Sequence, residues 1–145
     1  MQRDIIQLTT DYWSGKRNGR RMPSRDSIDP SELAEVLPNL VMAEAIDGGK
    51  DYLHRIAGER AEILLGEHMH GERLSRLRRS KAILASWRNG LDLARTFKAP
   101  HFAHFENEDT HKTVRAVFLP LSGGDENHAA FVMTALTDTV LNDEE

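Results

Sequence analysis

The chain has 145 residues, a length that suits one domain with a single sizeable core. Its 19 Lys and Arg residues against 23 Asp and Glu residues give a net charge of −4, so the charge of the whole molecule gives no reason to expect nucleic-acid binding. The absence of cysteine excludes disulfides, thiol nucleophiles, iron–sulfur clusters and chromophores attached through sulfur. No apolar stretch has membrane-spanning length and no signal-peptide pattern follows Met1, so we expect a cytoplasmic protein.

The N-terminal stretch "DIIQLTTDYW" predicts an amphipathic helix. Apolar residues recur in it at steps of three and four, and the helix should end near Gly15. Its apolar surface consists of Ile5, Leu8, Tyr12 and Trp13. So short a helix needs cover for this surface, either on its own sheet or on a neighbouring chain.

A second short helix is predicted in "SIDPSELAEVLPNL". Asp29 can cap it, Pro30 suits its first turn and Glu32 occupies the position of a capping-box acid. Pro38 should end it, because the residue before a proline is disfavoured in the helical region. The two helices together form a predicted N-terminal helical extension over residues 1–40.

The middle of the chain predicts a hairpin followed by helices. "VMAEAI" and "YLHRIA" are strand-length runs on either side of "DGGKD", a turn sequence. "GERAEILLG" predicts a short helix closed by Gly66, and "MHGERLSRL" a loop with one further turn. "RRSKAILASWRNGLDLARTFKAP" carries Leu84, Trp87 and Leu91 at helical spacing and predicts the longest helix, which ends before Pro100. We expect Trp87 to be buried against a sheet.

Three extended segments follow, "HFAHFEN", "THKTVRAVFLPL" and "HAAFVMTALT", separated by turn sequences. Because strands and helices do not alternate, an α+β fold with an antiparallel five-stranded sheet and flanking helices is favoured over a doubly wound parallel sheet. Pairing of the first two segments around residues 108–109 would place one set of side chains on a single face towards the long helix. That set is Ala103, Phe105, Val114, Ala116 and Phe118. Residues 141–145 predict an acidic tail.

The order of these elements resembles the PAS fold, in which a helical insert follows the second strand and three strands complete the sheet. "HRIAGERAEILLGEHMHGERLSRL" (residues 54–77) and "ALTDTV" (residues 135–140) are similar to PAS stretches at the insert and at the last strand. "YW" at residues 12–13, "RRMPSRDSIDPSELAEVLPNLVM", "RIAGER" and "FLPLSGG" resemble a bacterial PAS-like family formerly classed as a domain of unknown function. The resemblance covers almost the whole chain and implies a PAS-like domain over residues 41–140.

The resemblance implies a stand-alone sensory or regulatory module without catalytic residues, which acts by protein–protein interaction with a separate signalling partner. It also implies a homodimer formed through N-terminal helices, to which Ile5, Leu8, Tyr12 and Trp13 would contribute. PAS domains are commonly paired in this way, and two-fold dimers are the commonest soluble assembly.

A small apolar ligand, held noncovalently, is compatible with the resemblance. Trp87, Phe105 and Phe118 are its candidate lining, although an apolar stripe of this kind is more often simply core. The absence of cysteine excludes a flavin–cysteine adduct, and the long helix lacks the histidine that haem-binding PAS domains are expected to place there. We therefore expect no cofactor, and no haem or flavin absorbance.

The basic segment of residues 16–25 permits a different function. Its five cationic residues are Lys16, Arg17, Arg20, Arg21 and Arg25. Its sequence lacks the spacing of a phosphate-binding loop. The segment is either a solvated connection in which Arg21 and Arg25 pair with carboxylates, or a patch that binds RNA or anionic phosphate groups. The acidic net charge favours the first interpretation and argues against nucleic acid.

The seven histidines raise the possibility of a metal site, which their spacing does not support. His101 and His104 are three apart on a predicted strand and point to opposite faces. No carboxylate trio or cysteine completes a zinc site around His68 and His70. The sequence also lacks a nucleophile elbow and an H-E-x-x-H motif, and its "GGDE" at residues 123–126 suits a turn between strands. We expect neither a metal nor catalysis.

Overall fold

The computed structural model describes residues 4–78 and 81–138, which form three α-helices and five strands. In chain order these are α1 (Ile5–Lys16), β1 (Leu40–Ile46), β2 (Asp51–Ala57), α2 (Glu59–Leu65), α3 (Lys81–Phe97), β3 (His101–Asn107), β4 (Lys112–Ser122) and β5 (Ala129–Asp138). All neighbouring strands are antiparallel in one sheet of order β2-β1-β5-β4-β3. The predicted α+β fold is confirmed, whereas the predicted acidic tail lies outside the described residues.

The two faces of the sheet carry separate apolar cores. The inner core includes α2, α3 and the side chains of Val114, Ala116 and Phe118 on β4. The outer core includes α1 and the intervening side chains of β4, namely Val117, Leu119 and Leu121. This alternation follows from the two-residue period of a strand. The register Ala103↔Ala116 and Phe105↔Val114 confirms the predicted face beneath the long helix.

The hairpin and the short helix after it agree with their turn sequences. Asp47, Gly48 and Gly49 between β1 and β2 all have positive φ, at 53°, 68° and 88°. Gly66 ends α2 in the left-handed conformation, with a φ of 73°. Leu74–Arg76 forms the single further turn predicted in the connector between α2 and α3. In this part of the chain, the glycines were therefore sufficient to predict where the hairpin turns and where α2 ends.

The predicted second helix is wrong. Pro30–Leu33 and Leu37–Asn39 are short 3₁₀ turns joined by a turn. Asp29 caps the first of them as predicted, because its carboxylate accepts from the Ser31 amide at 3.0 Å. The Glu32 carboxylate does not reach back to a cap and instead accepts from the Tyr12 hydroxyl at 2.7 Å. So few residues before a proline cannot repay the cost of nucleating an α-helix, and burial of Leu33 and Val36 at a spacing of three suits 3₁₀ geometry.

Helix α3 approaches the inner face of the sheet most closely at Gly90. A Cβ atom at this position would lie 2.3 Å from a ring carbon of Phe118. Trp87, one turn earlier, is fully buried as predicted, and its ring meets that of Phe118 edge-on at a centroid distance of 5.2 Å. Gly90 therefore allows α3 to pack directly on the aromatic centre of the inner core.

We expect Gly90→Ala to lower the free energy of unfolding by about 1–3 kcal/mol, because the added methyl group overpacks the contact with Phe118. This loss should appear although alanine favours a helix over glycine by about 1 kcal/mol. Gly15→Ala in α1 is the matched control, since an added Cβ there would meet nothing within 4 Å. It should raise the free energy of unfolding by up to about 1 kcal/mol. Urea denaturation of both variants measures the difference, and equal effects would contradict the close approach.

Candidate functional site

A buried histidine joins β2, the connector and α3 beneath the inner face. His54 is fully buried, and its Nε2 accepts from the Trp87 indole Nε1 at 3.1 Å. Its Nδ1 lies 2.8 Å from the Glu72 carbonyl oxygen. Because an indole N–H can only donate and a carbonyl can only accept, Nε2 is unprotonated and Nδ1 carries the proton. His54 is thus a neutral imidazole with both ring nitrogens committed.

Burial lowers the pKa of His54 below its ordinary value of 6.5, and this effect outweighs the hydrogen bond to the Glu72 carbonyl and the charge of Asp51, both of which raise it. Protonation of Nε2 would replace the acceptor for Trp87 with a second donor. Two backbone hydrogen bonds join β2 to the connector at His54. The His54 amide donates to the Glu72 carbonyl at 3.0 Å, and the Gly71 amide donates to the His54 carbonyl at 2.8 Å. The histidine therefore has a structural role in holding the connector against β2.

A second polar cluster links α3 to the sheet on the same side. The Tyr52 hydroxyl donates to the Asp92 carboxylate at 2.6 Å and lies 3.3 Å from Nη1 of Arg95. Arg95 Nε also donates to the Ala129 carbonyl on β5 at 2.7 Å. Burial, followed by the hydrogen bond to Asp92, raises the pKa of Tyr52 to about 12. The tyrosine therefore stays protonated and joins β2 to α3.

The three residues predicted to line a ligand pocket come together in the inner core. Trp87, Phe105 and Phe118 are all buried there. The rings of Trp87 and Phe118 touch, so a small ligand between them would have to separate the two side chains. Ligand binding at this position stays a prediction.

Helix α1 lies on the outer face, with its apolar side against its own sheet. Trp13 is buried, and its indole Nε1 donates to the Pro120 carbonyl on β4 at 2.8 Å. Asp4 caps the helix by accepting from the Ile6 amide at 3.1 Å, and its carboxylate also accepts from Arg115 at 3.2 Å. Cover for Trp13 is thus provided within the chain. The other residues of the predicted dimer surface, which are Ile5, Leu8 and Tyr12, are half-buried beside the outer core.

One part of the outer face is open to solvent. Helix α1 packs mainly on β4 and β5, while β3 is the edge strand beyond them. Phe102 on β3 is 60% exposed. It borders a groove of about 440 Å³ whose outer-face lining also includes Ile6, His104, Thr113 and Arg115. Among the described residues, Phe102 is one of three large apolar side chains that are exposed, with Ile63 and Phe97, and it is the one that borders this groove.

The basic segment is held to its own chain by several contacts. Lys16 pairs with Glu32 at 3.0 Å and Arg20 with Glu126 at 3.5 Å. The hydrogen bond to Glu32 raises the pKa of Lys16. The hydrogen bonds that Glu32 accepts from Tyr12 and Lys16 lower the pKa of Glu32. The guanidinium of Arg17 lies over the Trp13 ring, 5.4 Å from its centroid.

The two arginines expected to pair with carboxylates are placed differently. Arg21 donates to the Phe97 carbonyl at 3.5 Å. Arg25 borders a small apolar crevice beside Ile28 and Leu33. These contacts are typical of a connection between elements, and phosphate binding by this segment stays a prediction.

Within the described residues, no group of three or more His, Cys, Asp or Glu side chains is placed to hold a metal ion. His101 faces the inner core, with its ring 6.1 Å from that of Phe118, whereas His104 borders the outer groove. His68 contacts the Glu62 carboxylate at 3.3 Å. Among residues 4–78 and 81–138, no helix is both long and apolar enough to cross a membrane.

The single antiparallel sheet, the helical insert between β2 and β3 and the long helix across the inner face define an α+β domain. The chain belongs to the PAS domain family, which matches it over residues 1–133. Among solved structures, the chain is similar to the sensory box sensor histidine kinase from Vibrio cholerae, with 15% identity and a TM-score of 0.49, over 77% of this chain and 87% of that one. No curated protein matches the chain. PAS domains are generally sensory rather than catalytic, so membership supports a signalling role.

His54 is the buried group that sequence reasoning missed. It stands in the strand-length run "YLHRIA", two residues after Tyr52. Residues two apart on a strand share a face, so these two polar rings point into the same core. A polar residue on the inner face of a predicted strand was the available signal, although its partner Trp87 lies 33 residues away in sequence.

We expect the free energy of unfolding to fall as the pH drops below about 6.5, the ordinary pKa of histidine. At that pH residue 54 is protonated in the unfolded chain, whereas the buried His54 of the folded chain stays neutral. The free energy of unfolding therefore changes by at most about 1.4 kcal/mol per pH unit. The lowered carboxylate pKa values of Asp51, Glu62 and Asp138 act only at lower pH, below about 4.5.

Urea denaturation between about pH 7 and pH 5 measures this slope. His54→Gln should reduce it, since the glutamine side chain does not titrate, even if the variant is less stable throughout. His128→Gln, at an exposed position between β4 and β5, is the control and should keep it. An unchanged slope in His54→Gln would show that other groups cause the pH dependence.

Proposed function

We propose that this PAS domain is a regulatory module that acts by protein–protein contact, and that a second copy of the chain occupies the open part of its outer face. The observation that carries the proposal is Phe102, which is 60% exposed and lies beside the groove next to α1. A two-fold contact needs a surface that is complementary to itself. An aromatic side chain and an adjacent recess meet that requirement, because each copy inserts its Phe102 into the recess of the other.

The half-buried side of α1 extends the same surface. Ile5 and Leu8 pack beside the outer core and keep part of their area accessible. The outward residues of α1 are polar, since Gln7 and Asp11 are exposed and hydrogen-bonded to each other at 2.8 Å. We therefore place the centre of the interface at Phe102 and the helix at its rim. This differs from an interface built on the helix alone.

Under this proposal the domain is not an enzyme and works in the cytoplasm. Three buried titratable groups have raised or lowered pKa values, namely His54, Tyr52 and Asp51, and each is committed to structural hydrogen bonds. Asp51 accepts from the Tyr52 amide at 2.8 Å and from the Ser75 hydroxyl at 2.6 Å. Groups engaged in this way support a scaffold that transmits contacts. A noncovalent ligand would add to this function and is not required by it.

We expect Phe102→Glu to weaken self-association by about 30-fold, because a buried aromatic at the centre of an interface contributes about 2 kcal/mol or more. Ile63→Glu is the matched control, since Ile63 on α2 is also 60% exposed and its replacement adds the same charge. Sedimentation velocity of the three proteins at tens of micromolar, on the order of the concentration at which a specific dimer is populated, measures the effect.

Two outcomes would contradict the proposal. One is a wild-type chain that stays monomeric throughout this concentration range. The other is a dimer that Phe102→Glu and Ile63→Glu weaken equally. Native mass spectrometry of the same samples would also show any small apolar ligand that copurifies, which tests the ligand prediction separately.

A further inference from the structure

A second stretch of the sequence, separate from the basic segment of residues 16–25, is strongly cationic. Residues 73–88 contain six basic residues and no Asp or Glu. They are Arg73, Arg76, Arg78, Arg79, Lys81 and Arg88. The net charge of the whole chain is −4, so the rest of the molecule carries −10. Such a local reversal of charge indicates attraction for an anionic partner at this place.

The described part of this segment forms a groove between the connector and α3, with a volume of about 590 Å³. Its apolar lining comes from Leu74, Leu77 and Leu84. Arg78, Lys81 and Arg88 line the same groove and supply its charge. The groove is therefore amphipathic, with hydrocarbon and cations on one concave surface.

Two of the three cations that line this groove have no ion-pair partner among the described residues. Within residues 4–78 and 81–138, neither Arg78 nor Lys81 has a carboxylate within ion-pair distance. Arg78 donates to the carbonyl oxygens of Ser75 and Leu77, which leaves its charge uncompensated. This contrasts with the basic segment, where Lys16 and Arg20 pair with carboxylates.

Arg88 connects the groove to the interior. It donates to the Lys50 carbonyl at 2.9 Å, and its guanidinium lies 5.9 Å from the centroid of the Tyr52 ring. Its approach to Asp51 is longer, at 3.9 Å. These contacts fix the side chain at one wall of the groove, so little conformational entropy is lost when an anion binds there.

We propose that this groove binds an acidic, amphipathic segment of a partner protein, with its carboxylates on Arg78 and Lys81 and its apolar residues on Leu77 and Leu84. The inference rests on the proposed function insofar as the domain acts by protein contact, and it adds the chemistry of the partner. Nucleic acid fits less well because no aromatic side chain lines the groove for base stacking. A lipid surface fits less well because a concave wall presents its apolar residues poorly to a flat bilayer.

The test uses a short fluorescein-labelled peptide of Glu, Leu and Ala with amphipathic spacing, titrated with the full chain and followed by fluorescence anisotropy. Arg78→Glu/Lys81→Glu should weaken binding by about tenfold or more, because two attractive charges become repulsive. Arg17→Glu/Arg20→Glu is the matched control, since it makes the same change of charge in the basic segment and should change affinity by less than about twofold. Arg78→Gln/Lys81→Gln repeats the test without repulsion, should the charge reversal perturb folding.

Further probes identify the kind of partner. A peptide in which serine replaces leucine should bind more weakly, because the apolar contacts are lost. A single-stranded RNA oligonucleotide and vesicles of anionic phospholipid should bind less tightly than the peptide. Preference for either of these, or equal loss of peptide binding in both double-glutamate variants, would overturn the proposal.

Sedimentation of the same variants separates this inference from self-association. Arg78→Glu/Lys81→Glu should leave the oligomeric state unchanged. If it dissociates the dimer, a second copy occupies the groove and the inference is wrong. If the wild-type chain is monomeric but binds the peptide with the expected pattern, the self-association proposal fails and the groove inference stands.

Discussion

The contact between Gly90 and the Phe118 ring sets the distance between α3 and the sheet, and the rest of the interior depends on that distance. A side chain at residue 90 would meet the ring at 2.3 Å, so any larger residue would lift the helix. At the observed distance Trp87 reaches the sheet and loses all contact with water. A buried indole N–H needs an acceptor, and His54 supplies it. The neutral state of the histidine is thus a consequence of how closely one helix packs.

The same close packing joins three parts of the chain into one unit. Tyr52 and His54 extend from β2 and are bound by Asp92 and Trp87 of α3, while the connector closes over the histidine through Glu72. Arg88 lies over the Tyr52 ring and also lines the cationic groove. A partner that binds in the groove would therefore contact Arg88, a side chain that also packs on the core residue Tyr52. This continuity is a physical path between a bound partner and the interior, formed by direct contacts of α3.

The sequence predicted what local periodicity and turn chemistry determine. The stripe of Trp87 and Leu91 predicted α3, and glycine-rich turns predicted the β1–β2 hairpin, because each of these signals lies within a few residues. The prediction of an α-helix at residues 29–39 was wrong because capping residues mark where a turn starts and do not show whether an α-helix can propagate. The site was harder to predict, since the partners of His54 and of Trp13 are distant in sequence. The amphipathic pattern of α1 showed that the helix needed cover and left open which surface would provide it.

Net charge was a poor guide to this molecule because it averages over surfaces that face different ways. The total of −4 argued against an anionic partner, yet residues 73–88 carry only positive charges. Screening limits the reach of a surface charge to about 8–10 Å in physiological salt, so a partner in the groove senses mainly the local cations. The effect of a basic run depends on the contacts that the fold gives it. Lys16 and Arg20 are paired with carboxylates, whereas Arg78 and Lys81 line a groove beside apolar side chains. The groove therefore attracts an anionic partner and binds it more tightly when the partner also buries apolar surface. This makes the groove selective for the partner's sequence pattern as well as for its charge.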